Sequence, residues 1–204
     1  MEIPEVFSIN ICRGVFMRSK RNDIVIDMNN IKINGEVLDM GFQSRGIVFR
    51  TLRQAILTNG WEEAAITSDT STLPDEYNFV YGYPTDLPFP DNSFDAVTIF
   101  FSLAFTGRKY KRNRTIREIV RVLKPEGKLF IWDMDTSIMR WGFKIKIKAK
   151  LPGDEIIDLI IDKPDYFGNH SMKAILPVIE RYFLVEQTCN YGKHYHIVAR
   201  KRMI

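Results

Sequence analysis

From residue 36 onward, short apolar segments alternate along the chain with segments of helical periodicity. This alternation is typical of α/β folds, in which helices connect the strands of a mainly parallel sheet. A helix is expected before Asn59-Gly60, because the apolar residues of the segment 46–58 can share one helical face and Asn59-Gly60 can end the helix. We predict strands at residues 36–40, 64–68, 78–81, 94–101 and 128–132, with helices at 46–58 and 115–124.

The two ends of the chain differ from this alternating centre. A helix is predicted at residues 171–182 despite Pro177, followed by strands at 183–188 and 194–201. The short connection between these two strands predicts an antiparallel hairpin. Near the other end, the stretch DIVIDMNNIKI fits either a hairpin or the end of a helix.

A second hairpin is predicted after the fifth strand. Residues 143–150 alternate strictly between apolar residues and lysine, which is strand periodicity. A Pro-Gly-Asp turn follows, and the next apolar segment can pair back so that Lys148 faces Asp158 and Lys144 faces Asp162. We expect this hairpin to serve as a lid, a substrate platform, a dimer contact or a structural flap. The alternative for its second half, residues 154–162, is a helix.

Bulk composition excludes several classes of protein. The 204 residues are 45% hydrophobic, which suits one globular domain. No apolar run approaches the roughly 20 residues that cross a bilayer, and residues 1–10 do not resemble a secretory signal. Cys12 and Cys189 form no disulfide framework, so we expect reduced cysteines and a cytoplasmic protein. The net charge of +4 permits an anionic partner without requiring one.

Two long segments carry the functional signal. Residues 86–95 read DLPFPDNSFD, and residues 121–127 read RVLKPEG at the end of an amphipathic helix. Together they closely resemble the class I S-adenosylmethionine-dependent methyltransferases of the small-molecule type (methyltransferase type 11-like), over residues 36–135. The resemblance implies a Rossmann-like α/β sheet of seven strands, mostly parallel, with the last strand antiparallel.

The resemblance also implies a domain organisation and an activity. It suggests a single domain with an N-terminal cap (1–35), a cofactor-binding core (36–135), an insertion (136–168) and a closing helix and hairpin (169–204). The implied activity is transfer of a methyl group from S-adenosylmethionine to oxygen, nitrogen or carbon of an unidentified acceptor. The alternative is a non-catalytic module that binds RNA or a protein through a basic rim.

The family's first cofactor motif is an acid followed by glycines at alternate positions, which let the backbone approach the methionine part of the cofactor. The stretch LDMGFQSRG keeps Asp39 and Gly41 but has Gln43 and Arg45 at the later glycine positions, so the motif is degenerate. The cofactor-binding residues that the resemblance implies are Asp39, Gly41, Phe42, Gln43, Asp69, Tyr83, Asp86, Leu87, Phe101 and Ser102.

Two of these positions also depart from the family. Asp69 is predicted to follow the second strand, as the family's ribose-binding acid does, yet only eight residues then precede Asn78. That span is too short for a helical crossover of about a dozen residues. Tyr83 replaces an acid near the adenine, where its ring could stack on the base or fill the pocket.

The densest basic stretch is TGRKYKRNRT, residues 106–115. Cations at a helix start oppose the helix dipole, so they suggest an anionic substrate or RNA; a solvated helix start is the alternative. The predicted substrate rim is Arg108, Lys109, Lys111 and Arg112. His194 and His196 share one strand face, but no further ligands have metal-site spacing, so no metal is predicted. No catalytic residue is assigned.

Overall fold

The computed structural model describes residues 23–29, 31–40, 55–59, 79–106, 109–138, 144–162 and 170–203. The strands in these ranges are β1 (Asp23–Asp27), β2 (Val37–Met40), β3 (Ala55–Asn59), β4 (Phe79–Tyr81), β5 (Phe94–Phe100), β6 (Leu123–Met134), β7 (Lys144–Lys150), β8 (Ile156–Asp162), β9 (Phe183–Asn190) and β10 (His194–Lys201). The α-helices in these ranges are α1 (Lys109–Val122) and α2 (Met172–Ile179).

Seven of the strands in the described ranges form one sheet in the order β4-β3-β2-β5-β6-β10-β9. The neighbours from β4 to β6 are parallel, and β10 is antiparallel to both β6 and β9. The central strand β5 has the sequence FDAVTIF and is buried almost throughout, because both of its faces are covered. The predicted Rossmann-like sheet with an antiparallel last strand is confirmed.

The second strand of this sheet lies where a helix was predicted. Residues 55–58 belong to β3, which pairs in parallel with β2 and β4, so the predicted helix at 46–58 is wrong over that part. The apolar residues of this segment are spaced as in a helix, but hydrogen bonding to the two neighbouring strands β2 and β4 makes residues 55–59 a strand. Residues 60–78, a span of 19, separate β3 from β4, so the predicted lack of room for a crossover is also wrong. Residues 46–54 and 64–68 lie outside the described residues.

Helix α1 is longer at its start than predicted. It begins at Lys109 instead of residue 115 and ends at Val122, three residues before Pro125, whose ring disfavours helix at the residue preceding it. Strand β6 follows at once and begins earlier than predicted, with a register shift between Phe94 and Ala96 on the paired strand β5. The closing helix α2 is confirmed, and Ser171 caps it by accepting a hydrogen bond from the backbone N–H of Ala174.

The other three described strands form a separate sheet in the order β1-β7-β8. The hairpin of β7 and β8 has the predicted register, with Lys148 opposite Asp158 and Lys144 opposite Asp162, so the helical alternative is wrong. The ion pair itself is diagonal, with Lys146 Nζ 3.0 Å from Asp158 Oδ2. Strand β1 pairs in parallel with β7, which is neither of the two structures predicted for that stretch.

Two apolar clusters cover the two faces of the seven-stranded sheet. On the helical face, residues such as Ile131 and Ile197 pack against Ile116 of α1 and Ile179 of α2. On the opposite, strand-covered face, the small sheet packs against the large one, and the main residues there are Ile24, Phe100, Phe130, Trp132, Met134, Ile147, Leu159 and Val198. The inserted hairpin therefore forms part of the core.

Helices of the described ranges are all too short or too polar to cross a membrane. Cys189 is disulfide-bonded, so the expectation of reduced cysteines is wrong. The described ranges contain no other cysteine. The division into cap, core, insertion and closing elements remains a prediction.

Candidate functional site

The carboxyl ends of the parallel strands meet at one edge of the large sheet, which is where open α/β sheets bind ligands. Asp39 lies one residue before the end of β2, Ser102 follows β5, and Asp133 lies near the end of β6. Strand β10 runs the opposite way, so its first residues, His194 and Tyr195, lie at the same edge. This edge defines the candidate site.

The ends of β2 and β5 are tied together by side chains predicted to bind the cofactor. Asp39 is fully buried and accepts a hydrogen bond from Thr98 Oγ1 at 2.7 Å, while Ser102 Oγ donates to the Met40 carbonyl at 2.6 Å. Between them, Phe101 has a φ of 50°, which is uncommon for a residue with a side chain. Asp39, Phe101 and Ser102 are thus brought to adjacent strand ends, as predicted from the sequence.

A loop after β4 carries three more predicted residues. The Asp86 backbone N–H donates to the Tyr83 carbonyl at 2.8 Å, which makes a tight turn between them. The Tyr83 side chain is exposed, with 57% of the residue's surface accessible, and Asp86 is exposed too. Leu87 instead is buried in the helical-face cluster. Tyr83 and Asp86 are therefore available to a ligand, and Leu87 anchors their loop.

Helix α1 holds this loop through two side chains. Glu118 Oε2 accepts the Leu87 backbone N–H at 2.9 Å, and Arg121 donates to the carbonyls of Leu87 at 2.9 Å and Phe89 at 2.7 Å. Arg121 also bonds the carboxylates of Glu118 and Asp91. The hydrogen bond from Arg121 lowers the pKa of Glu118. The DLPFP and RVLKP segments therefore bind each other, a contact that sequence reasoning missed although both segments were recognised.

The predicted basic rim is only partly at the surface. Lys109 is exposed and Lys111 is half-buried, but Arg112 is only 4% exposed. Arg112 is buried because it lies four residues before Ile116, on the apolar face of α1. Burial lowers the pKa of the guanidinium. Arg112 is therefore not a rim residue, and Arg108 lies outside the described residues.

Polar residues that are far apart in sequence meet beside Arg112. Tyr195 is fully buried, and its Cα pairs across the sheet with that of Asp133, which is also fully buried. Burial raises the pKa of the Tyr195 phenol well above its usual value, and the charges of Asp133 and Asp135 raise it further, while Arg112 opposes them. The only sequence signal was the pair of aspartates in WDMD at the end of a strand.

The two histidines of β10 lie on the strand-covered face. His196 stacks on Trp132 with 4.5 Å between ring centroids, and its Nδ1 lies 2.9 Å from the Ile131 carbonyl oxygen. His194 stacks on Tyr191 at 4.8 Å. Burial lowers the pKa of each histidine to about 4, so both are neutral near pH 7. Among the described residues, no three acidic, histidine or cysteine side chains are grouped to hold a metal ion.

Four further residues were predicted from the sequence to bind the cofactor. Gly41, Phe42, Gln43 and Asp69 lie outside the described residues. The reason for choosing Asp69 was its position after the second strand. That strand, β3, ends instead at Asn59. The strand-end position next to β2 is therefore held by Asn59.

Comparison with known proteins agrees with this architecture. A family model described as a methyltransferase domain matches residues 38–131. A demethylmenaquinone methyltransferase of Clavibacter sepedonicus is 40% identical over 81 residues, covering 38% of this chain and 32% of the relative. The ubiquinone/menaquinone biosynthesis C-methyltransferase UbiE of Pectobacterium atrosepticum is 36% identical over 131 residues, covering 63% of this chain and 48% of the relative. The chain thus spans less than half the length of these two relatives.

Solved structures resemble the chain over most of its length. The PH0226 protein of Pyrococcus horikoshii has a TM-score of 0.58 at 19% identity, covering 86% of this chain and 85% of that one. A SAM-dependent methyltransferase of Methanosarcina mazei has a TM-score of 0.56 at 19% identity, covering 85% and 95%. The fold is that of the class I methyltransferases. Together these matches support a class I S-adenosylmethionine-dependent methyltransferase of the type 11-like group, in which the first motif of this sequence, LDMGFQSRG, is degenerate.

Proposed function

We propose that this protein transfers a methyl group from S-adenosylmethionine to a ring carbon of a quinol-type acceptor. The cofactor is supported by the family match over residues 38–131. The acceptor class is supported by two relatives whose names specify demethylmenaquinone methylation and C-methylation in quinone biosynthesis. The observation that carries the proposal is the carboxyl edge, where buried Asp39 lies beside Ser102, with the exposed Tyr83 and Asp86 on the loop after β4.

The described residues fit such a cofactor. Asp39 supplies a fixed carboxylate for the methionine end, because Thr98 already holds one of its oxygens. The exposed Tyr83 ring offers a stacking face for adenine, and the Asp86 carboxylate can accept a hydrogen bond from its amino group. Gly41, Phe42 and Gln43 belong to the proposed site by their place in the motif, and Phe101 and Leu87 by supporting its floor and loop.

S-adenosylmethionine, when bound, supplies a methyl group that its sulfonium makes electrophilic. The chain contributes orientation of the two reactants and exclusion of bulk water, which accelerate such a displacement. The proton that the ring carbon loses when the methyl group is attached is released to solvent. The bond from Ser102 to Met40 fixes the ends of β2 and β5, and Arg121 fixes the loop that presents Tyr83 and Asp86.

The alternative of an RNA- or protein-binding module is less well supported. It relied on a basic rim of four residues, and Arg112 is buried. The other rim residues that the structure describes are exposed Lys109, at the start of α1, and half-buried Lys111. We therefore retain the methyltransferase proposal alone.

Calorimetric titration with S-adenosylmethionine and S-adenosylhomocysteine tests the cofactor directly. Tyr83→Ala should weaken binding about 10-fold, because base–aromatic stacking contributes roughly 1–3 kcal/mol. Tyr110→Ala is the matched control, since Tyr110 is equally exposed but lies on α1. Absence of binding at millimolar cofactor would refute the proposal, and equal affinities of both variants would refute the role of Tyr83.

A further inference from the structure

Two buried hydroxyl groups on the helical face have no hydrogen-bond partner in the described part of the chain. They are Tyr195 Oη and Thr115 Oγ1, in residues that are 0% and 1% exposed. A buried polar group without a partner has lost its hydrogen bonds to water and gained none, so such groups call for an explanation in a folded protein.

The charged side chains near Tyr195 include two carboxylates, and each of them is held in place by a hydrogen bond from a backbone N–H. Asp133 Oδ1 accepts the Met134 backbone N–H at 2.7 Å, and Asp135 Oδ1 accepts the Ser137 backbone N–H at 3.0 Å. Both carboxylates are thus oriented by their own strand end, without help from the phenol. Two carboxylates and the guanidinium of Arg112 leave a formal charge of −1 around the phenol.

The chain runs from this group of side chains toward the carboxyl edge at the end of β6. Exposure rises outward from fully buried Tyr195 to Asp135 at 7%, then to half-buried Thr136 and exposed Ser137. Thr136 Oγ1 also accepts the His170 backbone N–H at 2.9 Å, which joins the end of β6 to the start of α2. The polar cluster therefore lies just inside the edge at which the cofactor is proposed to bind.

We propose that Arg112, Thr115, Asp133, Asp135 and Tyr195 form the subsite for the oxygen-bearing end of the methyl acceptor, with Tyr195 Oη donating a hydrogen bond to an acceptor oxygen. This inference rests on the proposed function and extends it. The phenol keeps its proton in these surroundings and is therefore a donor. A neutral quinol or quinone oxygen suits the net negative charge of the cluster, whereas an anionic acceptor would be repelled.

The test is calorimetric binding of reduced 1,4-naphthoquinol, under nitrogen, to the full chain with and without saturating S-adenosylhomocysteine. Tyr195→Phe removes only the hydroxyl and should weaken quinol binding about 5-fold, since one hydrogen bond contributes roughly 1 kcal/mol. Its affinity for S-adenosylhomocysteine and its urea midpoint should stay unchanged or rise. Thr115→Val should weaken quinol binding by a smaller factor. Tyr182→Phe, at a half-buried tyrosine just before β9, should change none of these quantities.

Each outcome decides the inference. Equal quinol affinity of Tyr195→Phe and the unsubstituted chain would overturn it, and so would a lower urea midpoint of Tyr195→Phe with unchanged quinol affinity. Binding of S-adenosylhomocysteine without binding of naphthoquinol would overturn the subsite but leave the cofactor proposal. Absence of S-adenosylhomocysteine binding would instead overturn the proposed function, while the titration without it still tests the quinol contact.

Discussion

The two faces of the large sheet differ most where they reach the carboxyl edge. On the strand-covered face, Trp132 and Met134 of β6 remain in an apolar cluster up to that edge, and His196 beside them is neutral. On the helical face, the intervening residue Asp133 lies opposite Tyr195. Successive residues of a strand point to opposite faces, so one strand supplies both an apolar core and a polar cluster.

This difference suggests that one face of the sheet contributes mainly to stability and the other mainly to ligand binding. The inserted hairpin was expected to be a lid, a platform, a dimer contact or a flap, but Ile145, Ile147 and Leu159 pack it into the core on one face. The polar groups available to a ligand lie at the edge of the other face and on the Asp86 loop. The strand-covered face should therefore govern stability, and the helical face should govern binding.

The largest effect is expected from Trp132→Ala on the strand-covered face. Trp132 is buried and lies against the rings of Phe100, Phe130 and His196. Truncation of a buried tryptophan costs about 3–5 kcal/mol, so the free energy of unfolding in urea should fall by that amount. Leu184→Ala, at an exposed position of β9, should cost far less. A loss below about 1 kcal/mol would show that this face does not dominate stability.

A smaller effect is expected from Arg121→Met on the helical face. The change removes hydrogen bonds to Leu87, Phe89 and Asp91, and we expect a loss of about 1–2 kcal/mol in urea unfolding because the side chain is partly exposed. S-adenosylhomocysteine affinity should fall as well, since the loop that carries Asp86 is released. Arg117→Met, at an exposed position of the same helix, is the control. If Arg121→Met lowers stability without changing S-adenosylhomocysteine affinity, the loop that carries Asp86 does not contribute to cofactor binding.

Acid should destabilise the strand-covered face through its histidines. The folded pKa of His196 is about 4, below the value of about 6.5 expected when unfolded. The unfolded chain therefore binds more protons between these pH values, and stability present above pH 6.5 is lost as the pH falls toward 4. Urea unfolding should show a loss of about 1–2 kcal/mol per histidine between pH 7 and pH 5. His196→Gln should reduce this slope; an unchanged slope would mean that His196 does not cause it.

The smallest effect is expected from Lys146→Met on the outer side of the small sheet. Its ion pair with Asp158 is exposed, and exposed pairs contribute about 0.2–1 kcal/mol. Urea unfolding should change by less than about 0.5 kcal/mol in moderate salt. Thr188→Val, exposed on β9 in the large sheet, provides a comparison. A loss above about 1 kcal/mol would show that polar contacts also stabilise this sheet.

The parts of the fold that the sequence predicted correctly are those with two consistent constraints. The hairpin register followed because one alignment satisfied both the charged and the apolar side, as Lys148 and Asp158 show. The parallel core of the large sheet was predicted correctly because residues 86–95 and 121–127 follow each other in the order typical of the family. Strand β3 was missed because Ile56 and Leu57 also fit a helical stripe, and only their neighbours in the sheet distinguish the two.

The candidate site was less predictable than the fold. Asp39 lies at the end of one predicted strand and Ser102 follows another, so their position at the edge could be inferred from the strand order. Arg112 was assigned to the surface by its charge, although its helical phase buries it. Tyr195 and Asp133 are separated by 61 intervening residues, and nothing local relates them before the antiparallel strand is placed.

The most direct test of the proposed function is methyl transfer itself. The full chain would be incubated with methyl-labelled S-adenosylmethionine and reduced 1,4-naphthoquinol, and the products analysed by mass spectrometry and NMR. We expect naphthoquinol that carries the labelled methyl group on a ring carbon, with much less product from Tyr195→Phe and an unchanged amount from Tyr182→Phe. Cofactor and quinol that both bind without forming a methylated product would contradict the proposed function.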